Sequence, residues 1–294
     1  MKTANLIIAA LGILSAPLWA AAPPIETAAV PRSNVSRQSA GEQAVRLYTL
    51  DCGHLALHDM AIFSDTGEHA GEPGEMAVPC YLIQDGTRWL LWDTGLGDGP
   101  AANPAGEEIL GGRWTVEHTL ASQLARLGLT PKDVTYVALS HLHADHSGNV
   151  GLFESSTLLI GRSELAWAKD NPLGTDAKIV AGLTKLHLQP IDLDHDVFGD
   201  GRVRIIATPG HTPGHRALIV NLSRNGNVLL SGDLYHTREN YEKSLVPVVN
   251  TSRAETIASF DRFHRLAERL HARVIVQHAP EDFAAMPAFP GYLE

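Results

Sequence analysis

The chain has 294 residues and carries 23 Lys plus Arg against 33 Asp plus Glu, a formal net charge of −10. This acidic balance argues against nucleic acid or an anionic membrane surface as a partner and suits a neutral or cationic small molecule better. Cys52 and Cys80 are the two cysteines, which excludes a zinc ribbon or a disulfide-dense scaffold.

Met1 to Ala22 has the layout of a secretory signal: Lys2 at the start, the apolar run Leu6 to Leu14, and small residues around Ala20-Ala21-Ala22. The apolar run is too short for a comfortable span, so no integral membrane segment is expected after processing, and the mature protein is expected in the periplasm or the medium. Residues 23–43, rich in Ala, Pro, Ser and Arg, read as a flexible linker. Residues 44–294 then form one large domain, long enough to bury a sizeable core. Export permits a bridge between Cys52 and Cys80, while a buried free thiol at Cys80 fits its apolar surroundings equally well.

Val45 to Leu50, Ala77 to Gln84 and Trp89 to Trp92 read as the opening strands, with Asp85-Gly86 turning between the last two. Thr119 to Leu127 has helical spacing and stops at Gly128, and Val134 to Leu139 is a strand. Leu158 to Gly161 is a further strand, Ser163 to Lys169 a helix, and Val203 to Ala207, Ala217 to Asn221, Val228 to Leu230 and Arg273 to Val276 are strands. Ala254 to Leu270 is the longest helix, with Ile257, Phe260, Phe263, Leu266, Ala267 and Leu270 on the face expected to pack on a sheet. Gly41, Gly71, Gly74, Gly111 and Gly112 mark loops. Strands before and after helices indicate an α/β layered domain.

The run His141-Leu142-His143-Ala144-Asp145-His146 directly follows an apolar strand. Two histidines two residues apart face the same way only in extended backbone, so this is a loop site and not the helical HExxH arrangement. Imidazole and carboxylate suit a borderline divalent ion, and this segment offers more ligands than one ion takes from one loop, so two neighbouring metals are expected. His211 follows the strand Val203 to Ala207, Asp233 follows Val228 to Leu230, and His278 follows Arg273 to Val276. Ligands just past strand ends sit where an α/β scaffold holds function rigidly.

This pattern resembles the metallo-β-lactamase superfamily, and within it the N-acyl-homoserine lactonases. Further supporting segments are Val78 to Leu82, Trp92 to Gly95, Thr208 to His215, Thr237 to Asn240 and Phe289 to Tyr292. The resemblance runs from about Val45 to the C-terminus and implies a single-domain αββα sandwich. It also implies that His141, His143 and His211 hold one ion, that Asp145, His146 and His278 hold the other, and that Asp233 bridges them, with Zn²⁺ the expected metal. The implied reaction is quorum quenching: a hydroxide bridging the ions opens the lactone ring, and Asp145 carries a proton to the leaving oxygen. Other hydrolases on the same metal core are the alternatives: a broad lactonase or esterase, an organophosphate hydrolase or a β-lactamase. Asp233 argues against the β-lactamase branch.

Asp93 is a candidate for fixing a ligand histidine from behind, and His215 is expected beside the site without binding metal. His54, His58, His69, His118, His187, His195, His264 and His271 show no ligand spacing. The lactonases resembled place a tyrosine three residues after the bridging aspartate, as a donor to the carbonyl oxygen. Here that position is His236, with Tyr235 beside it, and either is a candidate donor. Ala144 stands where those enzymes often carry a bulky aromatic, which implies a roomier pocket, and Met60 and Phe63 are candidate acyl-chain contacts.

Overall fold

The computed structural model describes residues 44–109 and 111–294; the expected leader and linker, with Gly41, lie outside the described residues. The first sheet runs β4 (Glu107–Ile109), β5 (Gly112–Thr115), β1 (Arg46–Leu57), β2 (Gly74–Asp85), β3 (Arg88–Trp92), β6 (Tyr136–Ala138), β7 (Thr157–Gly161) and β8 (His187–Ile191), and β14 (Tyr292–Leu293) also pairs with β1. The second runs β13 (Arg273–Ile275), β12 (Gly226–Leu230), β11 (Arg216–Leu222), β10 (Val203–Ala207) and β9 (His195–Asp196). The segment β3, β6, β7, β8 is parallel, and so is the pair β12 and β13.

Alternation along these strands makes the layers. Tyr81, Ile83, Leu90, Trp92, Ala138 and Leu159 of the first sheet meet Val203, Ile205, Leu218, Val220, Val228 and Leu230 of the second in one buried core. Their neighbours Cys80, Leu82, Leu91, Val137, Leu158 and Ile160 point the other way. That outer face packs on α1 (Leu120–Arg126), α3 (Arg162–Ala168) and α4 (Ala177–Gly182). The outer face of the second sheet, with Ile219, Leu229 and Val274, packs on α6 (Arg253–Leu270) through Phe260, Phe263 and Ala267. The result is helix, sheet, sheet, helix. The short helices α2 (Ala144–Ser147), α5 (Arg238–Lys243) and α7 (Pro280–Ala284) lie in connections that follow strands or turns.

Several sequence expectations change. The first strand continues past Leu50 to Leu57, because its pairing with β2 shifts register between Asp51 and His54 and so breaks the alternation. Gly53 sits in this irregularity at φ 137°, and a Cβ there would come within 2.3 Å of Leu96. Gly74 and Gly112, expected in loops, each open a strand. Ile257 is 45 % exposed, off the packed face of α6. Cys52 and Cys80 form a disulfide across β1 and β2, with Cα atoms 5.8 Å apart, which resolves the open alternative between bridge and free thiol.

Candidate metal centre

The ligands converge at one end of the sandwich because each strand that carries one stops just before it. β6 ends at Ala138, and His143, five residues on, is the N-cap of α2 in extended conformation. His211 lies between β10 and β11, Asp233 in a single 3-10 turn after β12, and His278 between β13 and α7. That turn requires Gly232: its φ is 53°, and a Cβ there would lie 2.8 Å from His215 Nε2.

Two groups of ligand atoms result, His141 with His143, His211 and Asp233, and Asp145 with His146, Asp233 and His278. All seven sequence-derived ligands are therefore brought together, with Asp233 common to both groups. Asp233 Oδ2 lies 3.5 Å from His211 Nε2 and 3.7 Å from His141 Nε2, while Oδ1 lies 3.1 Å from His146 Nε2 and 3.0 Å from His278 Nε2. Asp145 Oδ2 approaches His146 and His278 Nε2 at 3.6 and 3.5 Å.

The donor set fits two cations. His143 Nδ1 and His211 Nε2 face each other at 3.0 Å, and His146 and His278 Nε2 at 3.2 Å. Two facing imidazole nitrogens need a proton or a cation between them, and a cation in each ligand group would serve both pairs. His141 Nε2 is buried without a hydrogen-bond partner, a costly state for a polar atom that has no further role. Burial pushes His141 and His211 well down and His143 down to about 4, so these imidazoles stay in the neutral, ligating form. Burial also opposes charge on His146 and His278, but there the carboxylates, Asp233 foremost, outweigh it and raise both. Asp233 itself, despite burial, is held well below the usual carboxylate range by His146, His278 and His236.

Behind the ligands lies a layer of hydrogen bonds that sets ring orientation. Asp93 Oδ2 accepts from His146 Nδ1 at 2.9 Å, and Oδ1 accepts from the Ser140 backbone at 2.7 Å. Ala77 O accepts from His278 Nδ1 at 2.8 Å. Gln277 Nε2 donates to Pro79 O at 3.1 Å, joining the His278 loop to β2. His215 donates Nδ1–H to Thr208 O at 3.0 Å and enters neither ligand group, as expected.

His236 lines the cavity beside the ligands, with Nε2 3.1 Å from Asp233 Oδ2 and its ring 4.9 Å from Phe63. Tyr235 does not serve as the alternative donor expected of it. Its ring stacks on Phe260 at 4.6 Å beneath α6 and its hydroxyl is 3.1 Å from His264 Nε2, because adjacent residues in extended backbone point to opposite sides. The other histidines without ligand spacing also stay out of both groups.

A cavity of about 230 Å³ leads to His143, Asp145, His211, Asp233, His236 and His278. Its walls are Leu55, Leu57, Ile62, Phe63, Met76, Trp114, Leu173, Gly174 and Val249, with no Lys or Arg among them. Phe63 is on the wall as expected, but Met60 is not; it is buried against Gly74. An adjoining cavity of about 760 Å³ is lined by Ala144 and shares Trp114, Leu173 and Gly174 with the first, so the small side chain at 144 does border open space. Except for Phe63, these apolar walls carry no sequence signal tying them to the metals.

Comparison with known proteins agrees with this geometry. The metallo-beta-lactamase superfamily profile matches residues 73–278. The N-acyl homoserine lactonase AttM of Agrobacterium fabrum is 31 % identical over 260 residues, 84 % of this chain and 98 % of the relative. The N-acyl homoserine lactonase AiiA of Bacillus thuringiensis subsp. kurstaki is 28 % identical over the same shares of the two chains. A solved N-acyl homoserine lactone hydrolase with N-hexanoyl-L-homoserine at its catalytic metal center superposes with TM-score 0.74 at 27 % identity, covering 84 % of this chain and 98 % of its own.

Proposed function

The chain belongs to the metallo-beta-lactamase superfamily, and from that premise we propose that it is an exported dinuclear zinc hydrolase that opens the lactone ring of N-acyl-homoserine lactones. The observation that carries the substrate is the cavity: an apolar channel without Lys or Arg ends on five of the seven converging ligands. Such a channel accepts a neutral ester with an acyl tail and adds no Lys or Arg to the metals to help hold a phosphodiester.

Two divalent ions held by these residues would supply a nucleophile from water at neutral pH and stabilise negative charge developing on the ester oxygens. The chain's own residues do the rest. The apolar wall holds the acyl tail and keeps bulk water from the ester. Asp145 borders the cavity and is the more exposed of the two carboxylates, with 18 % of its side chain accessible against 4 % for Asp233. It takes one proton of the attacking water and delivers it to the ring oxygen as the C–O bond breaks, and the water's other proton leaves to solvent, so the product carries a carboxylate and a hydroxyl. His236 Nε2 is placed to donate to the carbonyl oxygen of a substrate seated beside Asp233.

Export is supported by the leader-like first 22 residues and by the Cys52–Cys80 disulfide, a bond at home in oxidising compartments. Among the described residues no helix is long and apolar enough to cross a membrane. The test is purified protein with zinc assayed in parallel on short- and long-chain acyl-homoserine lactones, an aryl ester, a β-lactam and a paraoxon-type triester. The lactones should give the highest kcat/KM by at least tenfold; a faster aryl ester, β-lactam or triester overturns the assignment.

A further inference from the structure

Glu164 is a carboxylate with no solvent exposure in the first turn of α3. Neither of its backbone hydrogen bonds comes from a cation, and nearby Arg216 spends its guanidinium on the carbonyls of Gly214, Ile191, Asp192 and Leu193. Instead, Glu164 Oε1 accepts from the backbone N–H of Leu142 at 3.0 Å and Oε2 from that of Gly214 at 2.9 Å. Leu142 lies between His141 and His143; Gly214 lies three residues after His211. One buried carboxylate thus ties together the two loops that supply every imidazole of the first ligand group. The contact is close: a Cβ on Gly214 would fall 2.4 Å from Glu164 Cβ.

A buried carboxylate is costly to desolvate and is retained only where its oxygens are well bonded. Two backbone donors on two loops meet that need, and bonds to a charged acceptor are shorter and stronger than neutral ones. The second ligand group has its own supports, Asp93 behind His146 and Ala77 O behind His278, neither of which involves Glu164.

We infer that Glu164 is a positioning residue for one ion only: by clamping the His141–His143 loop to the His211 loop it sets the affinity of the His141, His143, His211 group and leaves the Asp145, His146, His278 group unaffected. This rests on the two-ion reading of the site and is independent of the substrate. In Glu164→Gln the amide keeps one acceptor and turns an NH₂ toward the other backbone N–H, so one loop loses its tie while side-chain size is preserved.

The test is zinc retention during dialysis against graded chelator, read as equivalents per chain by elemental analysis, with circular dichroism and the melting temperature of the metal-free protein as folding controls. Wild-type protein should hold two equivalents. Glu164→Gln should release one at about 10–100-fold lower chelator strength, the cost typical of losing an outer partner of a ligand, and release the other as wild type does. His143→Ala added to Glu164→Gln should cost no further equivalent, whereas His278→Ala added to it should remove the second. Ser163→Ala removes a different tie between α3 and the His211 loop, the hydroxyl bond to Pro213 O, and should leave both equivalents in place. If Glu164→Gln does not fold, Glu164→Asp, which keeps both acceptor oxygens on a shorter arm, should show the same one-site loss. Retention of both equivalents at wild-type affinity, or equal weakening of both, overturns the inference. Fewer than two equivalents in the wild type would instead overturn the two-ion reading beneath it.

Discussion

Asp93, directly after β3, and His146, in α2, are 53 residues apart and meet with a carboxylate oxygen 2.9 Å from Nδ1. The carboxylate fixes which ring nitrogen carries the proton, leaving Nε2 directed at Asp233 and His278. Asp93→Asn should lower metal affinity of the Asp145, His146, His278 group about 10–100-fold, measured by zinc competition with a chromophoric chelator. Unchanged affinity would show that the ring is oriented by packing alone.

Asp233 is the one residue shared by both ligand groups. The protein purified with zinc should hold about two equivalents per chain, since seven ligands exceed the four of one tetrahedral ion. Asp233→Ala should reduce this below one and abolish hydrolysis. A stable single equivalent in the wild type with full activity would reject the paired site.

His236 and Tyr235 separate cleanly by position. His236→Ala should lower kcat on lactones by about 10²–10³ with metal content intact, the usual cost of one lost donor to a developing oxyanion. His236→Tyr should recover part of that loss. Tyr235→Phe should leave kcat unchanged and cost about 1 kcal/mol of stability through the lost bond to His264. A Tyr235→Phe enzyme with impaired kcat and normal stability would reverse the assignment.

Burial pushes His215 down to about 3. The unfolded chain therefore binds a proton near the ordinary histidine value, about 6.5, that the folded chain refuses, and stability falls as pH drops from there toward 3. His215→Asn should flatten that decline, read from denaturation midpoints of the metal-free protein at several pH values. An unchanged slope would show that His215 takes no part in the acid sensitivity.

The mature chain should begin within residues 21–23 and appear outside the cytoplasm, checked by N-terminal sequencing of fractionated cells. Its mass without reductant should be two hydrogens below the reduced value, reflecting Cys52–Cys80. An uncleaved cytosolic product would end the export reading.

The ligands were legible because each follows an apolar run that stops abruptly, as Val203 to Ala207 stops before Thr208-Pro209-Gly210-His211. Histidine and aspartate at strand ends are visible without knowledge of tertiary contacts. The cavity was not. Trp114 comes from a four-residue strand, and Leu173 and Val249 from connections with no apolar period, so only the folded chain brings them to the metals. Glu164 was hidden for the opposite reason, since a charged residue in a predicted helix is ordinarily read as facing solvent. Tyr235 and His236 were indistinguishable by composition and are separated only by strand-like alternation after the Asp233 turn.

The absence of Lys and Arg from the cavity walls also bears on how turnover ends. Hydrolysis converts an uncharged guest into an anion beside Asp145 and Asp233, and two divalent ions held there would outweigh those two charges. The new carboxylate therefore finds its partners at the metal end, with His236 Nε2, and none along the apolar wall, while the net charge of −10 on the chain favours its departure only at long range. Inhibition by the ring-opened acid should weaken as ionic strength rises, because salt screens the attraction that holds it.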